Sequence, residues 1–223
     1  MEPPSGLALF VLMGQSNMTG MAPMPSRMTP APENVYTYGN DGRWYRSKHP
    51  VDDPYDQIDA VSMDTKPGLG LGISFARELT DRYAGIGLVP CAKGGSGIIE
   101  WQPDASRESL YGSCLARVRE AMRAGNPAGL LFFQGEADAR PDSIYTFLTP
   151  ITKGYARAFS TTVDAFRTDL GLPNLRVVFA QIGDQPPIPG YDNWAMIQAE
   201  QARVSLSNAV MIETAGLPTY DGI

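Results

Sequence analysis

Short unbroken apolar runs alternate along this chain with stretches whose apolar residues recur every three or four positions. Leu7 to Met13 is a continuous apolar run, the pattern of a strand covered on both faces. Asn34 to Tyr38, Gly87 to Ala92, Gly129 to Phe133 and Leu175 to Ile182 read the same way, and Ala209 to Ile212 makes a final short strand. Between them, Ile73, Phe75, Ala76 and Leu79 share one side of a helix predicted over 73–83. Leu110, Cys114, Leu115, Val118 and Met122 mark a second helix. Tyr155, Phe159, Val163, Phe166 and Leu170 mark a third, with Thr149 as its N-cap, Pro150 at its first position, and Gly171 and Pro173 as its stop. A fourth runs from about Trp194 to Leu206. Residues 39–72 are dominated by glycine and proline and read as one long loop. Loops of that length in a compact domain are usually functional.

Alternating strands and helices predict one α/β domain over 1–223, with a parallel sheet covered by helices on both faces. Active sites in such sheets form at the carboxyl ends of the strands. Composition adds only bounds. With 43% hydrophobic and 19% charged residues, the chain is globular and long enough to bury a core without crosslinks or metals. A net charge of −6 argues against nucleic acid or an anionic membrane as the main partner, because both select basic surfaces. Cys91 and Cys114 read as two buried small hydrophobes rather than a disulfide framework. His49 is the single histidine, so neither a multi-histidine metal site nor zinc-type spacing is present. No metal or cofactor is expected. The N-terminal apolar run lacks a basic leader and is too short to span a membrane. Compartment stays open, a secreted form with its signal peptide removed included.

The chemistry-bearing residues cluster after strands. The first strand ends in Gly14-Gln15-Ser16-Asn17-Met18, the third in Cys91-Ala92-Lys93-Gly94-Gly95-Ser96-Gly97-Ile98, and the fourth in Phe133-Gln134-Gly135-Glu136-Ala137-Asp138. Asp221 follows the last strand by a short loop. Taken singly, Ser16 reads as a capping serine, the glycines as a flexible turn, Glu136 as part of a polar loop and Asp221 as a turn residue. Together they put a hydroxyl, a glycine-rich turn able to aim backbone N–H groups, an amide and carboxylates on one edge. A phosphate-binding loop fits poorly, because no lysine–serine or lysine–threonine pair follows the glycines at the required spacing.

In that order, the three blocks resemble the SGNH (GDSL-like) hydrolases, and most closely carbohydrate esterase family 6 with the sialate O-acetylesterases. The likeness covers nearly the whole chain, including Gly68 to Ala76 and Leu217-Pro218. It implies a three-layer α/β/α sandwich around a flavodoxin-like, mainly parallel five-stranded sheet, and hydrolysis of O-acetyl esters on carbohydrate. It implies Ser16 as nucleophile, and an oxyanion hole from the Ser16 N–H, the Gly95 N–H and the Gln134 amide, with Gly94 and Ser96 as neighbours that would shift the assignment by one. It implies Asp221 and Glu136 as acidic partners of a catalytic histidine. Asn17, His49 and Trp101 are expected to touch substrate, and Trp44, Tyr45 and Tyr38 offer further aromatic surface. The physics suits these roles. A serine hydroxyl needs a base, a carboxylate orients that base, and losing one oxyanion donor costs roughly 3–4 kcal/mol, or 100- to 1000-fold in rate.

One departure stands out. The family's histidine would fall three residues after Asp221, and this chain ends two residues after it. The expectation is a domain cut short before its base, inactive or severely impaired by itself. His49 resembles a substrate-loop histidine rather than that base. The alternatives are a non-catalytic carbohydrate-binding relative and a general short-chain esterase. A nucleotide binder using Gly94–Gly97 leaves Ser16, Gln134 and Glu136 unexplained.

Overall fold

The computed structural model describes residues 5–53, 55, 59–64, 66–141, 151–186 and 188–219. Each predicted strand forms: β1 (Leu7–Gly14), β2 (Val35–Tyr38), β4 (Ile86–Ala92), β5 (Gly125–Phe133), β6 (Val177–Ala180) and β7 (Ala209–Ile212). Among the described residues the sheet has seven members rather than five, in the order β3-β2-β4-β1-β5-β6-β7. All neighbours are parallel except β3 (Trp44–Arg46), which runs antiparallel to β2 at the edge. β3 lies inside the stretch read as loop. Three residues carry no readable alternation; only Trp44 turns inward, packing edge-on against Tyr38.

β1 shows how the layers arise. Leu7, Leu9, Val11 and Met13 enter one core with residues of α3 (Leu110–Ala121), α4 (Tyr155–Leu170) and α5 (Trp194–Ala202). Phe10 and Leu12 enter a second core with Ile73 and Ala76 of α2 (Gly72–Arg77). Residues two apart share a face, so a run that is apolar throughout buries both faces and yields an α/β/α sandwich. Two helix ends differ from expectation. α2 is six residues long. α4 begins at Tyr155 after Gly154, later than Pro150, and Thr149 and Pro150 lie outside the described residues. Its stop is as predicted, with Gly171 left-handed at φ 69°.

The cysteines need a correction. Cys91 of β4 and Cys114 of α3, both fully buried, form a disulfide across Cα atoms 5.3 Å apart. Apolar surroundings were the right expectation for each, but chain spacing does not reveal that a strand end and a helix face meet.

Candidate active site

β1 lies between β4 and β5, so the three polar motifs leave adjacent strand ends. Gly14 pairs with Ala92 on one side and Phe133 on the other. The pairing continues past the strands: Lys93 N–H donates to Gly14 O and Gln15 N–H to Phe133 O, both at 2.9 Å. Gly14 has φ 145°, and a Cβ there would fall 2.1 Å from Phe133 O, so the position excludes a side chain. The chain then turns into a single helical turn, α1 (Ser16–Thr19), with Gln15 at its N-cap position. Gln15 is 4% exposed, and its Oε1 accepts from the Ala137 N–H at 3.2 Å and the Gln134 amide at 3.3 Å. It ties the first motif to the third. Ser16 is therefore not the helix cap.

Ser16 opens onto a cavity of about 320 Å³ that Asn17, Phe133, Glu136, Trp194 and Leu217 also line. Asn17 Nδ2 donates to Glu136 Oε1 at 2.5 Å. Glu136 itself is 2% exposed. Neither the Ser16 N–H nor the Gly95 N–H donates to any described residue. The N–H groups on either side of Gly95 are committed, Gly94 to Asp64 at 2.9 Å and Ser96 to Lys93 O at 3.3 Å. Leu217, Pro218 and Thr219 reach the same cavity, while Asp221 lies outside the described residues. A roomier cavity, about 480 Å³, lies between β2 and α3 and is lined by none of Ser16, Asn17 or Glu136.

Gly95 is not among the residues that line this cavity, and three further expected site residues stand elsewhere. The Gln134 amide is fully buried and points its protons into the protein, with Asp138 Oδ2 at 2.6 Å, Ser96 O at 3.0 Å and Gln15 Oε1 at 3.3 Å as acceptors, while its Oε1 accepts from Tyr155 Oη. It braces the glycine turn rather than facing the cavity; the side-chain amide lining the cavity is that of Asn17. Trp101 is also fully buried, its indole donating to Ser96 Oγ at 3.0 Å and its ring meeting Phe132 edge-on. It props the turn from beneath and offers no surface to a sugar. His49 follows β3, does not line the Ser16 cavity, and has a buried Nδ1 without a hydrogen-bond partner among the described residues. Burial lowers its pKa. Of the other aromatics, Tyr38 and Trp44 are buried and Tyr45 is exposed.

Residues outside the predicted set hold the site together. Asp138, fully buried, accepts from Gln134 and from the Ile98 and Ile151 N–H groups. Burial outweighs those donors and raises its pKa to about 6. Asp64 bonds both Thr19 and Gly94. Asp52, behind α1, has both carboxylate oxygens buried without a hydrogen bond to any described residue, and burial pushes its pKa up to about 8. The sequence signal for Gln15, Asp64 and Asp138 was only polarity within a few positions of glycine, which solvated turns share. Among the described residues, no three His, Cys, Asp or Glu side chains are grouped to hold a metal ion.

Known proteins share this fold. Residues 6–223 match the family described as carbohydrate esterase, sialic acid-specific acetylesterase. A probable carbohydrate esterase of Arabidopsis thaliana is 28% identical, over 94% of this chain and 80% of its own length. The solved structure of that Arabidopsis protein superposes with a TM-score of 0.77, covering 95% of this chain and 87% of that one. NanS shares the fold at a TM-score of 0.68 and 18% identity, covering 98% of this chain and 81% of its own. A carbohydrate acetylesterase of Xanthomonas citri shares it at 0.60 and 17%, covering 92% of this chain and 49% of its own. The chain belongs to the carbohydrate esterase family of sialic acid-specific acetylesterases.

Proposed function

We propose that this protein hydrolyses O-acetyl esters on carbohydrate through an acetyl-enzyme on Ser16. Membership of a carbohydrate esterase family supports ester hydrolysis as the reaction class. One observation carries the assignment to Ser16: Ser16, Asn17 and Glu136 line one cavity at the strand ends, and the Ser16 and Gly95 N–H groups have no internal acceptor among the described residues.

The Ser16 oxygen attacks the acetyl carbonyl carbon while its proton passes to a histidine base. On the family resemblance that base belongs to the Asp-x-x-His pattern that Asp221 begins. The Ser16 and Gly95 N–H groups stabilise the oxyanion. Collapse breaks the bond to the sugar oxygen, which leaves with the proton from the base. Water then attacks the acetyl-serine, giving up a proton to the base, and acetate departs as Ser16 regains its hydrogen. Glu136 and Asn17 hold the polar side of the cavity, and Phe133 and Trp194 provide apolar wall suited to a short acyl group.

The test is acetate release from acetylated oligosaccharides by the full-length protein. Ser16→Ala in the same background should abolish it. Hexanoate esters turning over faster than acetate esters would contradict the short-acyl reading.

A further inference from the structure

We propose that Asp64 is a positioning residue for this reaction, locking the Gly94-Gly95 turn to the helical turn that bears Ser16. The inference rests on the reading of Ser16 as nucleophile and the Gly95 N–H as oxyanion donor.

Asp64 belongs to the long 39–72 stretch, outside all three strand-end motifs. It is 6% exposed. Its Oδ2 accepts from Thr19 Oγ1 at 2.9 Å and from the Gly94 N–H at 2.9 Å, and its Oδ1 lies 3.1 Å from the same N–H. Lys93 Nζ stands 3.7 Å from Oδ1 and also donates to Met63 O at 3.3 Å, drawing the loop onto the turn. Thr19 closes the helical turn that Ser16 opens, and Gly94 directly precedes Gly95. One carboxylate thus spans the two backbone segments that supply the proposed donors.

The backbone explains why the anchor matters. With the N–H groups at 94 and 96 committed inward and φ of Gly95 at 72°, the remaining N–H of the turn is left without an internal acceptor among the described residues. Releasing Gly94 frees the peptide before Gly95 to rotate. Gly94 is also the residue that admits the carboxylate, since a Cβ there would lie 2.7 Å from Asp64 Oδ1. Asp64 does not line the Ser16 cavity, so it acts through the donors it orients. Fixed donors favour the transition state over the bound ester. Their loss therefore lowers kcat and the affinity for tetrahedral mimics, and leaves KM nearly unchanged.

The experiment uses Asp64→Ala, Asp64→Asn and Ser16→Ala in the full-length protein, with 4-nitrophenyl acetate as substrate and phenylboronic acid as the tetrahedral mimic. Asp64→Ala is expected to lower kcat about 30- to 100-fold with KM within about twofold, and to weaken boronate binding in parallel. Asp64→Asn keeps one acceptor oxygen and should fall between Asp64→Ala and wild type. If either folded Asp64 variant keeps kcat and boronate affinity within about twofold of wild type, or raises KM alone, Asp64 is not a positioning residue. Should Asp64→Ala fail to fold, Asp64→Asn decides the question by the same split. If Ser16→Ala retains the wild-type rate, the nucleophile reading itself fails, whatever Asp64 does.

Discussion

Asn17 Nδ2 donates to Glu136 Oε1 at 2.5 Å, joining the residue after Ser16 to a motif 119 positions further along the chain. The bond closes one side of the cavity and turns two strand ends into one unit. Because it couples an amide to a buried carboxylate, it belongs to the stronger class of hydrogen bonds, about 1.5–3 kcal/mol each. Asn17→Ala and Glu136→Ala should each lower kcat/KM on acetate esters by about tenfold or more. The double variant should lose less than the product of the two, because both remove the same contact. Additive losses in a double-mutant cycle would show that the two residues act separately.

Asp52 predicts a pH-dependent stability. Its folded pKa of about 8 stands above the ordinary 3.8 because burial dominates, with Asp64, Asp59 and Asp53 adding to it and Arg117 opposing it. Between about pH 4 and 8 the folded state keeps a proton that the unfolded state has lost, so stability falls as pH rises across that window. The loss is about 1.4 kcal/mol for each pH unit crossed while only the folded state holds the proton. Asp52→Asn removes the titration. The melting temperature of the variant, relative to wild type, should therefore climb from pH 4 to pH 8 and level off above it. A gap independent of pH would place the Asp52 carboxyl in contact with water.

The Cys91–Cys114 crosslink closes a loop over a sequence separation of 23 residues, which constrains the unfolded chain by roughly 3 kcal/mol. Cys114→Ala should lower the melting temperature by about 6–12 °C, at roughly 2–4 °C per kcal/mol for a domain of this size. The oxidised protein, unfolded without reductant, should show no free thiol with a thiol reagent. Two titratable thiols would mean that the cysteines are reduced.

Trp101 separates support from recognition. A fully buried indole that holds Ser96 Oγ predicts that Trp101→Ala costs about 3–5 kcal/mol of stability. Trp101→Phe, which keeps the packing and loses the hydrogen bond, should leave KM for acetylated oligosaccharides unchanged. A rise in KM without loss of stability would return Trp101 to the substrate surface.

What the sequence made readable follows from geometry. The run from Leu7 to Met13 announces a central strand, and a central parallel strand brings its neighbours' ends beside its own. That is why Ser16, Gly95 and Glu136 were identifiable as one edge. Side-chain direction was not readable. Gln134 and Trp101 turn inward onto Asp138 and Ser96, only four and five positions away, but a polar neighbour at that spacing does not reveal whether the pair is buried. Asp64 was hidden for a different reason, since its partners lie 45 and 30 positions away. β3 was missed because three residues at an edge bury only Trp44.

The central claim is that acetyl passes through Ser16. The direct measurement is acid-quenched turnover of 4-nitrophenyl acetate by the full-length protein, followed by peptide mass spectrometry. An acetyl group on Ser16, absent from Ser16→Ala and accompanied there by a loss of at least about 1000-fold in kcat, is the result predicted. Acetyl on another residue, or wild-type turnover by Ser16→Ala, would contradict it.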